Sequence, residues 1–322
     1  MAVFWLLLAA AALSLSYSEY YQWFAMPGEV EIKINSGASA ISICRELKNH
    51  GLIHSSLLFK YYLRQAGQEK NLKPGNHKFQ TGWSYPRILE ELLQERIEYR
   101  KITIPEGSDI KKISRIVAEA GFGSPEVFCS FAAAGNFPGY DLLGRKNGDL
   151  EGFLFPQTYL INKELTLEAV LTAMLTEFEK NFQKAAQAKI STLVDFEVLI
   201  LASIIELEAV LPEEKCRISG VFHNRLAVKK PLESCATIQY ALGNHHDRIL
   251  FEDLKVQSPY NTYLNPGLPP GPICSPGFDS IYAAFHPEQN EFFYFISTGR
   301  EHHFSKNLKE HNEWKRKLKL DK

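Results

Sequence analysis

The feature that most constrains the fold is an apolar segment near residue 200 that carries two carboxylates. Residues 199–225 read LILASIIELEAVLPEEKCRISGVFHNR, and Glu206 lies within a run of Leu, Ile, Ala and Ser. This run predicts a buried helix that begins near residues 192–195, where polar side chains suit an N-cap, and that extends to Val210. Pro212 then ends it and can begin the next helix.

A carboxylate on such an apolar helix face has either a pKa raised towards neutrality or a basic partner. A raised pKa would let Glu206 donate a proton, as the general acid does in glycosidic bond cleavage. The alternative is an ion pair with Arg217 or Arg225 from the next helix. Glu208 is a second candidate, but residues i and i+2 on a helix diverge by about 200°. Only one of the two acids is therefore expected to be active, and periodicity does not distinguish them.

Composition excludes several classes of protein. The 322 residues are 45% hydrophobic and 23% charged, which is typical of a folded chain. The formal net charge of −1 gives no sign of a nucleic-acid-binding surface. The five cysteines are scattered and odd in number, so we expect neither a disulfide framework nor a metal knuckle.

The N-terminal residues 1–25 form a targeting segment, MAVFWLLLAAAALSLSYSEYYQWFA. The apolar core ends near Leu15, which is short for a membrane span of roughly 20 residues. The aromatic residues that follow it resemble an interfacial belt, and they favour an uncleaved anchor over a cleaved signal peptide. In either case the body of the protein is expected to leave the cytoplasm.

Two strand–turn–helix patterns follow, one from residue 29 and one from Lys101. At an offset of 70 residues, five positions of the first coincide with five of the second: Ile32, Ile34, Gly37, Ile43 and Gly51 with Ile102, Ile104, Gly107, Ile113 and Gly121. This short repeat indicates either two similar β–α packing units or a duplicated glycan-binding module.

The remaining segments have distinct patterns. Residues 166–184 predict an amphipathic helix with an apolar stripe that belongs to the core. Residues 258–277 contain six prolines and three glycines, and the aromatic residues among them favour an ordered, functional loop. A buried strand is predicted at 291–297, followed by a charged, solvated C-terminal helix.

Other catalytic chemistries have little support. His245-His246 and His302-His303 are adjacent pairs whose side chains diverge, and no H-E-x-x-H motif is present, so a zinc site is not expected. The absence of G-x-S-x-G argues against a serine hydrolase of that type.

Seven motifs occur in the order of a known family: LEGFLFPQTY, LASIIELEA, ISGVFHNRL, TIQYALG, SPYNTY, GLPPGPICSPG and HHFSKNLKEHN. With them the chain closely resembles the YceG-like endolytic murein transglycosylases, the MltG family, over its whole length. The resemblance implies a lyase that cuts nascent peptidoglycan strands internally and leaves 1,6-anhydro-N-acetylmuramic acid ends. It also implies that glycan elongation is terminated in this way.

The resemblance assigns the catalytic role to Glu206, the first acid of the A-S-I-I-E segment. Glu206 would protonate the oxygen that leaves the muramic C1, and the N-acetyl group of the substrate would stabilise the cation. Glu206 would then accept the proton of the C6 hydroxyl as that oxygen attacks C1. One carboxylate therefore suffices, and Glu208 is expected to have a supporting role. No cofactor and no metal are implied.

Further substrate-binding residues are assigned by resemblance alone. Four are expected to stack on sugars or to hydrogen-bond their hydroxyls and acetamides: Glu151, Tyr260, Asn261 and Tyr263. Three others are expected to line or brace the site: Asn224, Arg225 and Gln239. The alternative for each is a role in scaffold packing.

The chain departs from the family pattern at several positions. Where the family has L-Q-S-D-P-T, this chain has Glu233 in place of the Gln and Cys235 in place of the Asp. Gln157 replaces the Asp of P-D-T-Y, and Leu207 replaces the Lys after the catalytic Glu. Loss of the Asp puts activity in doubt if that acid aids catalysis, while Leu207 makes the helix more apolar and favours a protonated Glu206.

The sequence thus predicts an α+β protein in four parts: an anchor at 1–25, a LysM-like region at 26–98, a second strand–helix unit at 99–148 and a catalytic domain at 149–322. The expected location is the cytoplasmic membrane, with a single span and the catalytic domain outside it. The expected partners are peptidoglycan glycan strands and the penicillin-binding synthases, with no nucleic acid. A hydrolase of the same glycan and a non-catalytic glycan-binding scaffold are the alternatives.

Overall fold

The computed structural model describes residues 28–134, 143, 149–243 and 249–318. The predicted anchor at 1–25 and the pair His245-His246 lie outside these residues. Within them, no helix combines the length and the apolarity that crossing a membrane requires. The architecture is α+β, as predicted, and the chain divides into two compact units, Met1–Tyr99 and Arg100–Lys322.

The first unit has a strand–helix–helix–strand–helix order: β1 (Glu29–Ile34), α1 (Ala40–Asn49), α2 (Ser56–Gln65), β2 (Gly75–Gln80) and α3 (Tyr85–Leu92). The two strands pair antiparallel, with Ile32 opposite His77. Alternation along β1 turns Ile32 and Ile34 into the core of this unit, where they join Phe59 and Phe79. Helix α2 was not predicted from the sequence.

The second unit contains the remaining elements: β3 (Tyr99–Thr103), which begins at the boundary, α4 (Ile110–Glu119), α5 (Pro125–Ala134), β4 (Thr158–Asn162), α6 (Leu167–Ala185), α7 (Asp195–Glu208), α8 (Lys215–Ala227), α9 (Cys235–Leu242), α10 (Phe278–Phe285), β5 (Tyr294–Ser297), β6 (His302–Ser305) and α11 (Leu308–Lys317). Strand β3 pairs with β4, and β5 pairs antiparallel with β6. The amphipathic helix and the charged C-terminal helix are confirmed.

Helix α7 is the central helix of the second unit. Its residues from Val198 to Ile205 are all buried, and it packs against α8, α9 and α10. Its first turn is capped by Glu197, whose carboxylate accepts a hydrogen bond from the backbone N–H of Val194. The helix ends at Glu208, two residues earlier than predicted, because Ala209 adopts an extended conformation. Its last turn therefore carries both carboxylates.

The structure shows what the predicted strand at 291–297 and the repeat at an offset of 70 residues are. The strand near residue 291 is shorter than predicted and half-buried rather than buried, because β5 pairs only with β6 in a two-stranded hairpin. The repeat at an offset of 70 corresponds to two strand–helix pairs, β1–α1 and β3–α4, whose matched isoleucines are all buried.

Candidate active site

A cleft of about 1060 Å³ opens in the second unit beside the end of α7. It is bounded by the N-terminal turns of α4, by the last turn of α7 and by α9. Its lining residues are Gly107, Asp109, Ile110, Lys111, Lys112, Arg115, Glu151, Leu207, Glu208, Cys235, Ala236, Gln239, Tyr240, Ala241, Gly243 and Ile273. Three of these residues are acids: Asp109, Glu151, which is buried, and Glu208, which is half-buried.

Glu208 is the carboxylate of α7 that lines the cleft. The hydroxyl of Ser234, the N-cap residue of α9, donates a 2.5 Å hydrogen bond to Glu208 Oε1. Burial raises the pKa of Glu208 above its ordinary value, while the hydrogen bonds from Ser234 and from the N–H of Ala236 act in the opposite direction. The result is an oriented carboxylic acid in a cleft, which is the state that a proton donor needs.

Glu206 has different surroundings. Its carboxylate lies 3.3 Å from Nζ of Lys215 and accepts a hydrogen bond of 2.9 Å from the backbone N–H of Gly277. The side chains of Glu206 and Lys215 are only 8% and 9% exposed. This buried ion pair joins α7 to α8, and Glu206 is not among the residues that line the cleft. Of the two alternatives for Glu206, an apolar environment or a basic partner, the structure shows the basic partner.

The expected basic partners of Glu206 are also different from those observed. Arg217 pairs with Glu288, and Arg225 pairs with Glu233. Lys215 was missed because it lies in the first turn of α8, seven residues beyond the end of α7, so that only the turn between the helices brings it to Glu206.

Glu151 lines the cleft from the segment that precedes β4. Both of its carboxylate oxygens accept the backbone N–H of Ile110, the first residue of α4, at 3.1 and 3.2 Å. Tyr240 donates to Oε2 of Glu151 at 3.4 Å. Burial raises the pKa of Glu151 to about 8, and Asp109 and Asp149 add to the increase. Glu151 is therefore mostly protonated at neutral pH.

Aromatic and polar side chains extend this wall of the cleft. The ring of Tyr260 packs on that of Tyr240, with centroids 4.8 Å apart. The hydroxyl of Tyr263 lies 3.2 Å from Sγ of Cys235, which lines the cleft together with Gln239. The structure thus brings Tyr260 and Tyr263 into contact with cleft residues. Tyr240 was not selected from the sequence, although it lies in the quoted TIQYALG motif.

Three of the candidate residues act as braces. Asn261 is fully buried, donates to the carbonyls of Leu254 and Val256, and accepts from the N–H of Tyr263. Its side chain holds the loop that carries Tyr260 and Tyr263, which is the scaffold role given above as the alternative to sugar binding.

Asn224 and Arg225 project from α8 towards the start of β5. Asn224 donates to the carbonyls of Asn290 and Phe292, and Arg225 donates to that of Phe293. Arg225 also donates to the Leu232 carbonyl and the Glu233 carboxylate. Glu233, one of the departures from the family pattern, therefore contributes an ion pair. Asn224 thus braces the segment before β5, and Arg225 joins that segment to the one that leads to Ser234.

The other departures lie at different distances from the cleft. Cys235 and Leu207 line it, and Leu207 is 43% exposed, so it adds apolar surface to the wall rather than to the helix interior. Gln157 lies directly before β4, where its carbonyl accepts the N–H of Ile104.

Among the residues that the structure describes, no group of three His, Cys, Asp or Glu side chains is placed to hold a metal ion.

Comparisons with known proteins agree on one family. The sequence profile of the YceG-like family matches residues 32–317. An endolytic murein transglycosylase of Bacillus subtilis is 34% identical over 304 residues, which cover 89% of this chain and 84% of that protein. A second endolytic murein transglycosylase, from Streptococcus pneumoniae, is 31% identical over 315 residues. The match covers 88% of this chain and 57% of that protein.

A solved structure is also similar. The 2.6 Å crystal structure of a putative YceG-like protein from Listeria monocytogenes superposes with a TM-score of 0.59. That chain is 28% identical, and the match covers 90% of this chain and all of the other.

Proposed function

The chain belongs to the YceG-like family, and on that premise we propose that it is an endolytic murein transglycosylase, a lyase that cleaves peptidoglycan strands internally. The bond cleaved is the β-1,4 bond from N-acetylmuramic acid to N-acetylglucosamine. The observation that carries the proposal is the half-buried, hydrogen-bonded carboxyl of Glu208 in the cleft. Its raised pKa suits a group that must hold a proton until the glycosidic bond breaks.

The reaction requires one proton donor that later accepts a proton. Protonated Glu208 gives its proton to the glycosidic oxygen, and the N-acetyl oxygen of the substrate bonds to C1 as the leaving sugar departs. Ionised Glu208 then takes the proton of the C6 hydroxyl, whose oxygen attacks C1 and displaces the acetamide. The product is a 1,6-anhydro sugar, no water is consumed, and the cleaved strand can no longer be extended at that end.

Resemblance assigned the acid to Glu206, and that assignment stays a prediction. The geometry favours Glu208, because Glu206 is occupied by Lys215 and by the Gly277 N–H outside the cleft lining. In this proposal the Glu206–Lys215 pair sets the angle between α7 and α8, and Glu208 carries the chemistry.

The neighbouring residues would orient the sugar. Protonated Glu151 can donate a hydrogen bond to a sugar hydroxyl or acetamide, and the packed rings of Tyr240 and Tyr260 offer an apolar face beside it. Gln239 and Tyr263 add polar groups along the same wall. Three further residues act indirectly, by hydrogen bonds that hold backbone segments around the site: Asn224, Arg225 and Asn261.

The remaining assignments complete the proposal. Residues 1–25 would anchor the chain in the cytoplasmic membrane, with the catalytic domain outside it. Besides residues 149–322, that domain would include α4 from the segment at 99–148, because α4 lines the cleft. The region at 26–98 would be a LysM-like glycan-binding module, which its compact strand–helix–helix–strand topology supports. Penicillin-binding synthases would supply the nascent strand.

The decisive experiment digests purified sacculi with the parent, Glu208→Gln and Glu206→Gln proteins and identifies the ends by mass spectrometry. We expect anhydro ends from the parent, a loss of at least about 100-fold in Glu208→Gln and a smaller loss in Glu206→Gln. Ends that carry an added water would identify a hydrolase. A parent that binds glycan without cutting it would identify a scaffold, and a Glu208→Gln protein as active as the parent would return the acid to Glu206.

A further inference from the structure

One edge of the cleft is strongly basic. Lys111, Lys112 and Arg115 all line it from the first two turns of α4. Within the described residues, none of the three side chains forms a salt bridge with an acidic residue. We call these three residues the basic edge.

Local stability does not explain the basic edge. Positive side chains near the positively polarised N-terminus of a helix are unfavourable, and Lys111 and Lys112 are the second and third residues of α4. Lys111 and Arg115 are also i and i+4 on one face, where like charges repel each other. The helix dipole therefore disfavours Lys111 and Lys112, and Arg115 adds a like charge on the same face as Lys111.

The cations are directed along the cleft. A Cβ placed on Gly243, at the end of α9, would lie only 3.7 Å from Nζ of Lys111, so this ammonium reaches from α4 to the opposite wall. The acids that line the cleft are Asp109, Glu151 and Glu208. Asp109 caps α4 by accepting the N–H of Lys112, and burial raises the pKa of the other two acids. Three cations thus face three acids in the cleft, and one of these acids, Glu151, is mostly uncharged at neutral pH.

We infer that the basic edge binds the carboxylates of the peptide stems carried by the glycan, and so makes the enzyme prefer peptide-bearing strands to bare ones. The inference rests on the proposed function, since it takes the occupant of the cleft to be a peptidoglycan strand. A strand stripped of its stems keeps one lactyl carboxylate on each muramic residue, close to the sugar ring, whereas an attached stem converts that group to an amide and places several carboxylates farther from the ring, where three adjacent cations can pair with them. Charge pairing in a partly enclosed cleft then supplies selectivity as well as attraction.

The test compares two forms of one substrate: uncrosslinked strands from sacculi, and the same strands stripped of their stems by an amidase. Parent protein should cut the peptide-bearing strands with a kcat/KM at least about tenfold higher. The triple variant Lys111→Gln/Lys112→Gln/Arg115→Gln should lose this preference and cut bare strands within twofold of parent. A matched control, Lys180→Gln/Lys309→Gln/Arg316→Gln, removes three exposed charges that do not line the cleft and should keep the preference.

A second measurement separates this inference from the proposed function. Binding of both strand types is followed by fluorescence anisotropy in the Glu208→Gln background, which needs no catalysis. Parent-like binding selectivity that the triple variant loses supports the basic edge even if no strand is cut. Far-UV circular dichroism checks the fold, and the single variant Arg115→Gln should show a partial loss.

Three results would overturn the inference: a parent without preference, a triple variant that weakens both strand types equally, or a control that loses selectivity as much as the triple variant. The diphosphate of a lipid-linked strand end is another anion that could fill the basic edge. Strands released from sacculi lack it, so impairment confined to lipid-linked strands would also contradict the assignment to stem carboxylates.

Discussion

The hydroxyl of Ser234 donates a 2.5 Å hydrogen bond to Glu208, and so joins the N-cap of α9 to the last residue of α7. The N–H of Ser234 is held by Oγ1 of Thr262 at 3.0 Å. The donor is thus fixed by a loop that is distant in sequence, and the proton-carrying group of the cleft has one preferred orientation.

Ser234→Ala should shift the pH dependence of kcat. The hydrogen bond stabilises ionised Glu208, so its removal raises the pKa of Glu208 further and moves the basic limb of the kcat profile to higher pH. Turnover should also fall by about tenfold, because the acid loses its orientation. The profile of Ser130→Ala, which removes a hydroxyl on the exposed side of α5, should not move; an unmoved profile in Ser234→Ala would contradict the role of this bond.

Lys215→Met should destabilise the second unit by about 3 kcal/mol, because it leaves the carboxylate of Glu206 buried without its cation. Glu206→Gln/Lys215→Met should recover part of this loss, since the double variant has no uncompensated charge. Urea denaturation of the four proteins gives the coupling free energy. Strictly additive losses would show that the two side chains do not interact.

The stability of the second unit should fall as pH rises from about 4.5 to above 8, with Glu151 as a main contributor. Its pKa is about 8 in the folded chain and near 4.5 when unfolded, so the folded state binds more protons across this window and its advantage is lost as they leave. In Glu151→Gln the decline should be smaller by a few kcal/mol, on the order expected for such a shift. Urea denaturation at pH 5.5 and 8.5 measures the change in unfolding free energy of each protein. An equal change in the parent and in Glu151→Gln would rule out the contribution of Glu151.

Gly152→Ala should unfold at a clearly lower temperature than Gly267→Ala. Both glycines have a positive φ, 83° and 93°, so both substitutions carry similar backbone strain. Only at Gly152 would the added Cβ meet another atom, Cβ of Pro272 at 2.5 Å, whereas Gly267 faces open space. The difference in stability between the two variants isolates the cost of the steric clash at Gly152, which we expect to be about 1–3 kcal/mol. Similar unfolding temperatures would show that the loop at Pro272 shifts to make room for the added Cβ.

Cys235→Asp should raise turnover. An aspartate at this position restores the family pattern beside Glu208, and its negative charge would raise the pKa of Glu208 further. The measurement is the rate of anhydro-end formation, with Cys235→Asn as an uncharged control. Turnover equal to that of the parent would show that the cysteine is harmless.

Several features of the fold followed from the sequence because they depend on local patterns. The apolar run from Leu199 to Ile205 required a buried helix, and the stop at Pro212 required a turn before the next one. The alternation of Ile32 and Ile34 placed one face of β1 in a core. These predictions succeeded because side-chain periodicity and backbone geometry act over a few residues.

Neighbours distant in sequence were beyond the reach of these patterns. Lys215 pairs with Glu206 only because the turn after α7 folds the two helices together, and Ser234 reaches Glu208 across 26 residues. Neither contact has a local signature.

The sequence by itself determined that two carboxylates would stand in the last turn of a buried helix, and that the chain carries the motifs of its family. It did not determine which carboxylate meets the cleft. That was decided by tertiary structure, since residues two apart on a helix face different neighbours, and the environment of each acid is set by the elements packed against it: α8 and the loop at Gly277 for Glu206, α9 and the open cleft for Glu208.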